Sequence, residues 1–191
     1  MLPYFLKIKN LNFKEDVKKN LKEYVLKNLD KFNRNSNKVP YKYGSYDGNW
    51  YLPKQYMPFD LLDTIGNLFK IKISYEILAQ SPFTDGRIHR DGNYPNLPPR
   101  STVINFPIYP DNCTIGTKFY NLEEGSYDDF DNAIWKEICE VTYEDNHPAI
   151  LNTQKWHAVK NNVKEKRFCA QFTTDLKFAE VVNLYIKNKL Y

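Results

Sequence analysis

His89-Arg90-Asp91, a proline-rich run over 93–99, and then Thr102-Val103-Ile104-Asn105-Phe106-Pro107-Ile108 decide how this chain is read. The last seven residues form an apolar run rich in β-branched and aromatic side chains, which reads as a strand. An H-x-D pair in extended backbone points both side chains to one face, because strand side chains alternate with period two. The chain has three histidines, at 89, 147 and 157, and Arg167 follows His157 by ten residues. Two neutral imidazoles and one carboxylate suit a borderline divalent metal and leave other coordination positions open. An arginine adds a planar fork for a carboxylate. On spacing alone the bland reading stays open beside this one: a histidine oriented by a nearby carboxylate, with no metal.

The neighbourhood favours the metal reading. Ile71-Lys72-Ile73-Ser74-Tyr75-Glu76-Ile77-Leu78 reads as a strand, and Asp85-Gly86 reads as a turn before His89. Ala149-Ile150-Leu151-Asn152-Thr153 is a short apolar strand ahead of His157, and Arg167 opens a strand over 167–173. The candidate ligands thus sit at strand ends, where a barrel mouth would gather them. Trp156 is expected beside the metal, excluding water. His147 is set aside because it lacks a carboxylate partnered as Asp91 is, and the ten-residue arginine.

With these residues, HRDGNYPNLPPRSTVINFPIYPDNC followed by PAILNTQKWHAVKNNVKEKRFCAQF resembles the 2-oxoglutarate- and Fe(II)-dependent dioxygenases. It is most similar to the small prolyl- and aspartyl-hydroxylase-like members, phage-encoded ones included. The resemblance spans about 70–175. It implies a mainly β fold, a double-stranded β-helix or cupin-like jelly-roll. It also implies that His89, Asp91 and His157 bind the iron and form the catalytic centre, and that Arg167 pairs with the distal carboxylate of 2-oxoglutarate. Tyr75 is a candidate to assist Arg167. Arg100 matches loosely an arginine that helps hold the co-substrate; its other reading is a solvated loop arginine. The implied reaction consumes O2 and 2-oxoglutarate, releases succinate and CO2, and hydroxylates a protein or peptide side chain or an amino-acid-like substrate. Asp91 stands where related halogenases carry a small residue, which argues for hydroxylation. The Asn-x-Tyr element and second arginine of the nucleic-acid demethylases are missing, so a nucleic-acid substrate is not expected. Two rivals remain: a catalytically inactive jelly-roll serving as a binding or virion-associated module, and a cupin-like metal isomerase.

The 191 residues suit one domain with a sizeable core. The expected organisation is an N-terminal helix and aromatic hairpin over 1–70, a jelly-roll core with the metal site over 71–175, and a C-terminal helix over 176–191. No apolar run reaches membrane-spanning length and no secretory signal is read, so a cytoplasmic location is expected, the host cytoplasm if the chain is virus-encoded. Cys113, Cys139 and Cys169 match no zinc spacing and read as buried small apolar residues of a reducing compartment.

Charge is uneven. Residues 1–38 hold ten Lys/Arg and four Asp/Glu, whereas 123–145 hold one lysine and nine Asp/Glu. The basic segment reads as the solvated face of an amphipathic helix over 14–32, whose stripe is Val17, Leu21, Tyr24, Val25, Leu29 and Phe32. The aromatics of 41–51 around Asp47-Gly48 read as a hairpin, either a flap over the core or part of a substrate groove. Helices are expected over 59–69 and 176–187. The acidic 124–129 run reads as an exposed loop, either a substrate lid or a plain insertion.

Overall fold

The computed structural model describes residues 4–9, 15–34, 49–86, 88–91, 100–123, 133–187 and 190. In chain order the elements are β1 (Phe5–Lys7), α1 (Glu15–Lys27), β2 (Asn33–Arg34), β3 (Asn49–Tyr51), α2 (Phe59–Gly66), β4 (Ser74–Gln80), β5 (Thr84–Asp85), β6 (Thr102–Tyr109), β7 (Cys113–Leu122), β8 (Trp135–Tyr143), β9 (Ala149–Leu151), β10 (Trp156–Asn161), β11 (Arg167–Thr174) and α3 (Phe178–Ile186). Two antiparallel sheets face each other. The larger has the order β1-β9-β6-β11-β4-β3-β2, the smaller β5-β10-β7-β8. This is the expected mainly β jelly-roll with flanking helices.

Strands β6 and β11 lie at the centre of the larger sheet, covered on both faces, so their burial is nearly continuous. Their odd and even positions nevertheless meet different partners. Ile104, Phe106 and Ile108 of β6, with Phe168, Ala170 and Phe172 of β11, pack against the helices. From α1 come Val17, Leu21 and Val25, from α2 Leu62 and Ile65, and from α3 Phe178, Val181 and Val182. Burying each large apolar side chain here stabilises the fold by about 1.5–3 kcal/mol. The other faces of the sheets enclose a second cluster that includes Cys113, Ile115, Phe119, Val141, Tyr143 and Leu151. Of the functional candidates, His157 and Arg167 are buried beside Phe119 and Tyr143 of this cluster.

The 14–32 expectation is met by α1 and a short 3-10 turn at Leu29–Lys31. The 59–69 and 176–187 expectations are met by the shorter α2 and α3. At the start of α3 the Lys177 amide donates to Glu180 Oε2 (2.7 Å), which satisfies one amide at the helix N-terminus. The aromatic hairpin lies outside the described residues except for β3, which joins the larger sheet through β4. The proline-rich run and the acidic 124–129 loop also lie outside them. Asp85-Gly86 turns out to be strand end and close approach rather than a turn. The Gly86 amide donates to the Val159 carbonyl (2.7 Å), and a Cβ on Gly86 would sit 2.4 Å from that oxygen. Only glycine lets this backbone come so near.

Candidate metal centre

His89 forms a single antiparallel bridge to His157, each amide donating to the other's carbonyl (2.9 and 2.8 Å). Two residues on, the Asp91 amide donates to the Thr153 carbonyl (2.9 Å). The H-x-D segment is therefore extended and pinned at both ligand positions without being a full strand. The β9–β10 connection clamps it further. Gln154 Nε2 donates to the carbonyls of Asp91 (2.7 Å) and Arg100 (3.2 Å), and Thr153 Oγ1 donates to the Arg100 carbonyl (2.9 Å). His157 comes from β10, whose register places it opposite Phe119 of β7.

These constraints bring one ligand atom each from His89, Asp91 and His157 to within 4.8 Å of one another. The two imidazole rings are 4.4 Å apart, and His89 Nε2 lies 3.6 Å from Asp91 Oδ1. His157 Nδ1 is 2.8 Å from the Lys155 carbonyl. A carbonyl only accepts, so Nδ1 carries the proton and Nε2 keeps its lone pair for a ligand role. Burial, with His89 beside it, lowers the His157 pKa to about 4, which keeps the ring neutral near pH 7. Neutral imidazole is the form that ligates a metal. The donor set and its geometry fit a divalent ion.

Arg167, at the start of β11, is buried, with its guanidinium 5.4 Å from the Tyr143 ring centre. Its Nη2 has no hydrogen-bond partner among the described residues. A buried guanidinium nitrogen without an acceptor is costly, and an anionic ligand would satisfy it. The nearby thiols are not that anion: burial pushes Cys169 up to about 11 and raises Cys113 as well, so both stay protonated. All three cysteines are free; Cys113 and Cys169 are buried as expected, whereas Cys139 is only partly so.

Arg100, about one-third exposed, lies beside the ligand group. Its Nε lies 3.7 Å from Asp91 Oδ2, its Nη1 3.2 Å from Glu76 Oε2, and its Nη2 donates to Gln171 Oε1 (2.6 Å). Tyr75 is not brought to the site. It faces the helices, edge-on to Phe172 with ring centres 5.6 Å apart, and its hydroxyl lies 2.7 Å from where a Cβ on Gly66 would be. Burial raises its pKa. Period two explains the error: Glu76, one residue on, faces the interior. The same rule corrects Trp156. As the neighbour of inward His157 it points outward, with the Arg90 guanidinium 4.2 Å from its ring and Trp135 5.0 Å away. His147 does have a carboxylate neighbour, Asp145 at 3.6 Å, but neither belongs to the ligand group.

The sequence reading missed Asn105, Tyr143, Thr153, Gln154 and Gln171. The signal existed for two of them. Asn105 interrupts TVINFPI and Gln171 interrupts RFCAQFT, and an amide inside a buried strand needs a partner.

No family model matches the sequence, and no curated protein sequence matches it. Solved structures do. The chain is similar to the epimerase SnoN in complex with Fe3+, alpha ketoglutarate and nogalamycin RO, at 12% identity and TM-score 0.56, over 89% of this chain and 78% of that one. It is similar to a prolyl hydroxylase from Trichoplax adhaerens in complex with a hypoxia inducible factor peptide fragment, at 13% identity and TM-score 0.54, over 89% and 82%. It is also similar to HygX from Streptomyces hygroscopicus with nickel, 2-oxoglutarate and hygromycin B bound, at 10% identity and TM-score 0.51, over 91% and 84%. Likeness at this identity establishes a shared fold. Among the described residues no helix is long and apolar enough to cross a membrane.

Proposed function

We propose that this protein is an Fe(II)- and 2-oxoglutarate-dependent oxygenase. It hydroxylates a peptide or protein side chain, or an amino-acid-like molecule, and releases succinate and CO2. The observation that carries the reading is the convergence of His89, Asp91 and His157 around one point, inside a fold shared with proteins solved with Fe3+ or nickel and the same oxo-acid.

His89, Asp91 and His157 hold the iron, with the Lys155 carbonyl fixing the His157 tautomer. Arg167 receives the distal carboxylate of 2-oxoglutarate, which its unpartnered Nη2 calls for. Arg100 orients Asp91 and joins the polar wall of the co-substrate chamber. When bound, the iron supplies O2 activation coupled to oxidative decarboxylation of the oxo-acid; the protein supplies orientation and a dry pocket. Retention of the Asp91 carboxylate favours hydroxylation. The solved proteins of this fold are in complex with a peptide fragment in one case and with small molecules in others, which supports keeping both substrate classes.

The test is anaerobic addition of Fe(II) and then 2-oxoglutarate to the purified apoprotein. A weak visible charge-transfer band that needs both additions, and is lost in Asp91→Ala, is the expected result. No band would overturn the reading and leave a jelly-roll put to another use.

A further inference from the structure

A polar chain crosses the interior between Asp91 and Arg167. Arg100 Nη2 donates to Gln171 Oε1 (2.6 Å). Gln171 Nε2 donates to Asn105 Oδ1 (3.0 Å). Asn105 Nδ2 donates to the Tyr143 hydroxyl (3.1 Å). At one end Arg100 Nε faces Asp91 Oδ2; at the other the Arg167 guanidinium lies over the Tyr143 ring. The links belong to four different segments: the one before β6, then β11, β6 and β8. Asn105 and Tyr143 are almost fully buried, so their partners are fixed by the fold rather than by solvent.

The direction of this chain follows from its first member. A guanidinium has donors only, so Gln171 must turn its amide oxygen to Arg100. Its NH2 is then left for Asn105, which must answer with oxygen. The NH2 of Asn105 therefore meets the Tyr143 phenol, which accepts. The chain leaves the phenol proton unspent. Two other buried polar atoms of the interior matter here: Arg167 Nη2 has no hydrogen-bond partner among the described residues, and the Thr117 hydroxyl lies against that of Tyr143 as a donor. The Tyr143 hydroxyl, with its direction set, therefore belongs to a ring whose centre lies 5.4 Å from a guanidinium that lacks an acceptor among the described residues.

We propose that Gln171 is the positioning residue of this site: it fixes the donor direction of the chain, so that Tyr143 keeps a proton to give to the carboxylate that Arg167 binds. This rests on the oxo-acid reading above. Gln171 touches neither metal nor co-substrate and acts through Asn105. Its role is polarity, not bulk, which makes a near-isosteric substitution decisive. In Gln171→Glu the introduced carboxylate still accepts from Arg100. It now also demands a donor from Asn105, whose amide turns round and offers oxygen to Tyr143. The phenol then spends its proton on Asn105, and the co-substrate loses a donor.

The test is calorimetric titration of 2-oxoglutarate into protein loaded with Zn(II), which takes the same donor set and does no redox chemistry. Gln171→Glu should bind 2-oxoglutarate about tenfold more weakly, the scale of one hydrogen bond to a charged group, with Zn(II) affinity and thermal midpoint unchanged. Tyr143→Phe should lose the same factor, and the double variant should lose no more, because both remove one donor. Equal binding by wild type and Gln171→Glu, or losses that multiply in the double variant, would overturn the inference and leave the oxygenase reading standing. Wild-type protein that takes up Zn(II) but no 2-oxoglutarate would remove both. Should Gln171→Glu not fold, Asn105→Asp carries the same expectation, since it can accept from Gln171 but has no proton for Tyr143.

Discussion

The two faces of β11 are built from adjacent residues and do opposite things. Phe168, Ala170 and Phe172 face the helices and are apolar without exception. Arg167, Cys169, Gln171 and Thr173 face the other sheet, and three of the four are polar. On the helix face every atom can be satisfied by contact alone. On the interior face each polar atom needs a named partner, and Arg167 Nη2 lacks one among the described residues. The contrast teaches where stability and function separate in this fold: one strand, one residue apart. A protein selected for stability alone would carry apolar residues on both faces, since a well-packed apolar group usually matches or exceeds a buried charge.

The sharpest break is on the helix face. Phe172→Ala removes a fully buried ring that packs on Phe69 and Tyr75. It should cost about 3–5 kcal/mol, a large share of the roughly 5–15 kcal/mol that such a domain commands. Chemical denaturation measures this. The molecules that remain folded should keep their metal affinity; a loss of metal binding in step with stability would show that the two faces are not independent.

Arg167→Met makes the complementary break. Binding of 2-oxoglutarate should fall by over a hundredfold, about 3 kcal/mol, as for removal of one partner of a buried charge pair. The thermal midpoint should hold or rise, because the ligand-free protein no longer buries an unmatched guanidinium. A marked drop in midpoint with unchanged 2-oxoglutarate binding would make Arg167 structural.

Metal addition sharpens the same division. A divalent ion that binds only the folded chain should stabilise it by about 2.7 kcal/mol at a hundredfold excess over its Kd. Thermal scans with and without metal should show the shift in wild type and lose it in Asp91→Ala and His157→Ala. The ligand-free midpoints of those variants should stay near wild type, since Asp91 lies on a pinned connection and His157 faces the site from β10, both outside the helix-face core. A metal-induced shift that survives both substitutions would place the ion elsewhere.

What the sequence revealed divides along similar lines. Strand β6 was legible because a continuous apolar run marks a strand covered on both faces, β4 and β11 because their residues alternate, and α1 because its stripe recurs at helical spacing. The triad was legible because H-x-D carries its geometry in its own period. The rest hid for physical reasons. Strand β8 lies at a sheet edge with most of its first six residues exposed, so its acidic, mixed sequence reads as loop. Tyr75 and Trp156 were assigned to the site by their chemistry, when one step of alternation sends each to the opposite face. Gln171, Asn105 and Tyr143 come from three strands distant in sequence, and nothing in a linear reading shows that their amides and phenol meet.

The smallest effect lies outside both faces of β11, on the surface between α1 and the β6–β7 turn. Lys22 Nζ bonds Asp111, and Lys18 Nζ lies 3.3 Å from the same carboxylate. The Lys22 hydrogen bond holds the Asp111 pKa below its ordinary value. A carboxyl whose pKa is lower folded than unfolded stabilises the fold above the unfolded value and loses that contribution as pH falls through the folded one. Asp111 is half exposed, so solvent screening limits the contribution to about 1 kcal/mol or less. Asp111→Asn should therefore lower stability slightly at pH 7 and match wild type in strong acid, with the difference shrinking in 1 M salt. Denaturation midpoints at the two pH values measure it. A difference as large as that of Phe172→Ala at neutral pH would mean that surface charge, rather than the helix-face core, sets the stability of this fold.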